Sequence, residues 1–128
     1  MADTAVATVS LAKAGDYTID TGVGTAIVHA NTHVITPTGR LEDGFLVVQN
    51  TFNGAKTVTV LAGDNPPAQS AGQGNLAAVS VADGDASYAA EIIGGLESAR
   101  FLQDNGTLRV NVEAAMTGFM YWVQLPRV

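Results

Sequence analysis

GFLVVQNTFNGAKTVTV, residues 44–60, is the stretch on which the reading of this chain turns. Two runs rich in β-branched and aromatic residues flank a cluster containing Asn53-Gly54, the dipeptide that most readily takes the positive φ angles of a tight turn. Alternation with a period of two puts Leu46 and Val48 on one face of the first run, and Val58 and Val60 on one face of the second. Val47 and Gln49, with Thr57 and Thr59, fall on the opposite face. The pattern predicts a half-buried β-hairpin with one core side. Its other side is either wet surface or part of an assembly contact.

Outward from this stretch the same pattern recurs. Residues 4–11 alternate Val with Ala, Thr and Ser, and read as a strand or an extended arm. Residues 27–35 read as a strand, followed by the turn Thr36-Pro37-Thr38-Gly39. Residues 64–75, DNPPAQSAGQGN, have the prolines, glycines and amides of a loop and nothing to anchor a core. Residues 76–81 and 87–93 are apolar runs separated by Asp83-Gly84-Asp85, read as a hairpin turn. Within 86–99 the helix formers are interrupted by Gly94-Gly95, which predicts strand, then turn, then a short helical turn at 96–99. Residues 100–103 form a short run ending at Asp104-Asn105-Gly106. Leu108, Val110 and Val112 alternate with polar residues, and an aromatic-rich strand at 119–125 stops at Pro126. About eight or nine short strands, with turn signals roughly every 8–12 residues, predict an all-β chain, an antiparallel sandwich or barrel. No internal repeat or linker breaks it, so residues 11–128 are expected to form one domain, with 1–10 an N-terminal arm or edge strand.

Composition narrows the function. At 128 residues the chain has room for one packed core. Charged residues make up 14%, against a usual share of about a quarter. Its surface is therefore dressed in Thr, Asn, Gln, Ser, Gly and Ala, which suits extended contact with other protein because few charges need desolvating. The net charge of −6 and the scattered Lys13, Arg40, Lys56, Arg100, Arg109 and Arg127 argue against nucleic acid and against anionic membrane as partners. Without cysteine there are no disulfides, thiol nucleophiles or thiolate metal sites. The start of the chain has an acidic residue where a secretory signal would be basic, which reads as a soluble protein made in a cytoplasm.

The residues that could carry chemistry do not assemble into a reaction centre. His29 and His33 are four apart, roughly 13 Å along a strand at about 3.3 Å per residue, too far to share an ion. Both read as surface or interface histidines, and no metal or cofactor is expected. Gly22-Val23-Gly24 and Gly72-Gln73-Gly74 lack the third glycine and the helix of a phosphate loop. Ser10, Ser70, Ser80, Ser87 and Ser98 stand outside any G-x-S-x-G context. On the last strand Phe119, Tyr121 and Val123 share one face, Met120, Trp122 and Gln124 the other. Either both rings pack inside the sandwich, or an exposed Tyr121 or Trp122 serves as an interface anchor or a sugar platform.

The run 36–60, TPTGRLEDGFLVVQNTFNGAKTVTV, resembles the small jelly-roll-like head decoration (cement) proteins of tailed bacteriophages. The similarity lies in a strand ending in V-x-N (Leu46-Val47-Val48-Gln49-Asn50), the Asn53-Gly54 turn, the TVTV run 57–60, a Pro/Gly loop at 65–74 and the closing strand 119–125. The segment 87–99 departs from it, being longer and more helix-prone. The resemblance implies a jelly-roll-like sandwich that binds the outside of an icosahedral capsid as a homotrimer. It makes the major capsid protein the partner, the virion the location and the role structural, with no catalysis. On this reading, contacts to capsid or neighbouring subunits are expected from Asp3, Thr4 and Val6 of the arm and from Asn65, Pro66, Pro67, Gln69 and Gln73 of the loop. A carbohydrate- or receptor-binding β-sandwich, or another tail or virion subunit, is the alternative.

Overall fold

The computed structural model describes residues 2–12, 15–16, 24–64, 74–84 and 89–126. These form two mixed sheets and almost no helix. The strands are β1 (Asp3–Val6), β2 (Thr8–Ser10), β3 (Thr25–Ala26), β4 (Thr32–Ile35), β5 (Gly44–Asn50), β6 (Lys56–Val60), β7 (Val79–Val81), β8 (Ala89–Gly94), β9 (Leu108–Val112) and β10 (Gly118–Gln124). A 3-10 turn at Leu41–Asp43 precedes β5, and the single helical turn α1 spans Ser98–Phe101. One sheet runs β1-β4-β9-β6-β7. The other runs β2-β10-β5-β8, with β3 also on β10.

The two sheets share one core because the period of two gives each an apolar face. Leu46 and Val48 on β5 pair with Trp122 and Met120 on β10. From the other sheet come Ile35 beside Leu108, Val60 beside Val110, and Val58. All of these are essentially solvent-free and belong to one cluster. Each such burial contributes about 1.5–3 kcal/mol. Leu41, Leu96, Phe101 and Met116 close the cluster from the connections between strands.

The 44–60 stretch is not a hairpin. β5 lies in one sheet, with both its edges occupied by β10 and β8, while β6 lies in the other between β9 and β7. Residues 51–55 therefore arch from sheet to sheet, and the core residues of the two runs face each other rather than lying side by side. Periodicity fixes which side chains are buried but not which strand a run pairs with. Asn50 holds the arch: its Nδ2 donates to the carbonyls of Gly54 (2.9 Å) and Ala82 (3.0 Å), and its Oδ1 accepts from the Phe52 N–H (2.9 Å). Asp83 and Gly84 likewise connect strands of different sheets, β7 and β8, so the hairpin expected there is also replaced by a crossing; Asp85 lies outside the described residues.

The sheets are also not purely antiparallel. The N-terminal segment pairs parallel to β4 through β1, switches sheets at Ala7, and pairs parallel to β10 through β2. It thus lies along one edge of each sheet, and Val6 enters the core. At the start of β10, Gly118 has φ 146°, and a side chain there would run into the Gln49 carbonyl of β5. Only glycine lets the two central strands stay in register at that point. The predicted helical turn exists but starts two residues later, after Gly95 at φ 69°, and takes in Arg100 and Phe101 from the run read as separate.

Candidate interaction surface

The predicted contact residues separate in space. Asp3 is exposed at the outer edge of β1 and accepts from Arg109 Nη2 at 3.0 Å. Thr4 Oγ1 accepts from Asn31 Nδ2 at 2.9 Å. Val6, by contrast, is a core residue, so its side chain is not available to a partner. Asn65, Pro66, Pro67, Gln69 and Gln73 lie outside the described residues.

The aromatic strand is buried on both faces. Trp122 packs in the shared core, and its indole Nε1 donates to Gln124 Oε1 at 2.9 Å. Gln124 Nε2 in turn donates to the carbonyls of Arg40 (2.8 Å) and Asp43 (3.3 Å). Tyr121 is equally inaccessible, in a second cluster with Val47 and Val123 on the outer face of the same sheet, against Val9, Leu11 and Phe45. Neither ring forms a sugar platform. Val47 and Gln49 are buried too, so neither side chain is wet surface or open to another molecule.

The polar groups that could do chemistry are tied into structural links. His33 is fully buried rather than at a surface, and its Nε2 accepts the Val28 N–H at 3.1 Å. Burial lowers its pKa, outweighing the opposing effect of the Val110 backbone. His29 is exposed. Among the described residues no three His, Cys, Asp or Glu side chains gather to hold a metal, and no hydrogen bond joins a serine to a histidine. Glu113 is held below the usual carboxylate range by Lys56 first, then by the Thr57 N–H and hydroxyl. Glu42 is lowered chiefly by the Ser98 N–H (2.9 Å) and then its hydroxyl (2.7 Å), which fastens the 3-10 turn to α1. Lys56 also lies 4.4 Å over the Phe52 ring.

Two surface features stand out among the described residues. A groove of about 450 Å³ opens between Ser10, Thr38, Arg40, Gln124 and Leu125. Its polar groups already serve one another: Ser10 and Thr38 hydroxyls are 2.8 Å apart, and Arg40 is flanked by Glu42 and Asp43 at 3.8 and 4.0 Å. The second is the β8 edge. Tyr121, Val47 and Ile92 form one cross-strand row on the outer face, and the row ends at the sheet's edge with Ile92 64% exposed. Sequence reading missed both Asn50 and this edge. A polar residue closing an apolar run was the available signal for Asn50, whereas the edge position of β8 depends on pairings that have no local signature.

Comparison with known protein families, curated proteins and solved structures returns no match for this chain.

Proposed function

We propose that the chain is a non-enzymatic virion protein that binds the outer surface of an icosahedral bacteriophage capsid and braces it, as a homotrimer. The fold proposed with it is a jelly-roll β-sandwich. Counting β3 as first and leaving aside β1 and β2, the two strand orders read 1-8-3-6 and 2-7-4-5, the wrapping of two Greek keys used by many viral shell domains. The phage assignment itself rests on the resemblance of residues 36–60, and the charge-poor surface is compatible with it.

The observation that carries the assembly reading is the β8 edge. Of the four sheet edges among the described residues, two are lined by the N-terminal segment, and β7 is three residues long. β8 is six residues, carries one charge (Glu91) but neither Lys nor Pro, and presents Ile92 to solvent. Long apolar edges invite pairing unless something covers them. A neighbouring subunit in a closed oligomer would do so. The sugar-binding alternative loses its anchor with Trp122 and Tyr121 buried.

The test is sedimentation, alone and with phage heads assembled without this protein. The wild-type chain is expected to run as a trimer and to pellet with heads at saturating, fixed stoichiometry. Ile92→Lys is expected to stay folded by circular dichroism, run as a monomer and bind less tightly. A monomeric wild type that ignores the heads would overturn the proposal, and a ring or open tube would favour a tail subunit.

A further inference from the structure

The chain has two Asn-Gly dipeptides, and the fold treats them oppositely. Asn53 is exposed at the arch between β5 and β6. Among the described residues no hydrogen bond engages its side-chain amide or the Gly54 N–H. Gly54 has φ 135°, and the nearest atoms to a side chain placed there would be those of the Phe52 ring, 3.7 Å away. No hydrogen bond therefore has to open at either group before the Gly54 nitrogen can meet the Asn53 amide carbon.

Asn105 is clamped at the same two atoms. Its Oδ1 accepts the Thr107 hydroxyl at 2.6 Å and the Thr107 N–H at 3.3 Å. The N–H of Gly106 donates to the Gln103 carbonyl at 2.9 Å. Both the electrophile and the nucleophile of a cyclisation are therefore held in a turn, and those bonds must open before they can meet.

We propose that Asn53 is a site of spontaneous deamidation in the folded protein and that Asn105 is protected from it. The Gly54 backbone nitrogen loses its proton to solvent base and attacks Asn53 Cγ. The N–Cγ bond forms, the Cγ–Nδ2 bond breaks, and ammonia leaves with a proton regained from solvent, giving a cyclic succinimide. Water then opens the ring. Breaking the N–Cγ bond gives aspartate, and breaking the bond to the α-carbonyl gives isoaspartate. No oxidant or enzyme is required. Either product adds one negative charge at the arch. Isoaspartate also adds a methylene to the main chain, one residue before the Gly54 carbonyl that anchors Asn50. The inference does not depend on the capsid reading.

The test is peptide mapping by mass spectrometry, with isoaspartyl methyltransferase labelling, after incubation of the full chain at mildly alkaline pH. In the folded protein Asn53 is expected to convert roughly tenfold faster than Asn105, or more, since several hydrogen bonds must open at Asn105. In urea the two sites are expected to convert at similar rates, and Asn53→Gln should abolish labelling of the arch peptide. Equal rates in the folded chain, or the same bias persisting in urea, would overturn the proposal.

Discussion

Trp122, Gln124 and His33 show what single polar side chains do in this core. The indole N–H is buried and has Gln124 as its acceptor, while the same amide donates to two carbonyls of the 36–43 connection. Gln124→Ala leaves the indole without that acceptor and removes the donor from Arg40 and Asp43. A loss of about 2–3 kcal/mol in urea unfolding is expected, and a neutral result would show that water replaces the amide. His33 gives a pH dependence with a definite sign. Burial lowers its pKa in the folded chain, whereas the unfolded chain takes up a proton near 6.5. Folding stability is therefore greatest above that value and falls as pH drops through it toward the lower folded-state pKa. Glu42 and Glu113 are also lowered, and their contributions are lost only as pH falls below about 4.5, outside this window. Denaturation midpoints at pH 7.5 and 5.5 are expected to differ for wild type and to converge in His33→Gln.

At the scale of elements, the alternation of Leu46 and Val48, Met120 and Trp122, or Val58 and Val60 was enough to name the buried residues. The same alternation could not say that β5 crosses to the other sheet before β6, because a hairpin and an arch bury the same side chains. Parallel pairing of β1 and β2 was equally invisible, since Thr, Val and Ala suit an edge strand and a free arm alike. Of the expected contact residues that are described, Asp3 and Thr4 lie where a partner could reach them, whereas Val6 is in the core, a position that follows from the register Val6–Ile35. The N-terminal segment is thus part of the fold. Deleting residues 2–10 removes Val6 from the core, worth about 1.5–3 kcal/mol alone, and bares the edges of β4 and β10. A clearly lower thermal midpoint and a tendency to aggregate are expected. An unchanged melting curve would mean that the segment adds nothing to the domain.

At the scale of the molecule, the sheets are lined by the chain's own N-terminus on one side and end at β7 and β8 on the other. Together with 14% charged residues and the exposed Ile92, this is a body suited to lying against other protein. Bracing a shell then has a thermodynamic signature, because a protein that binds only the intact shell stabilises it by mass action. The most direct measurement is the temperature at which heads assembled without this protein disrupt and release DNA, with and without saturating purified chain. A shell-bracing protein is expected to raise the disruption temperature with occupancy, and Ile92→Lys to raise it less. An unchanged disruption temperature at saturating protein would contradict the bracing role.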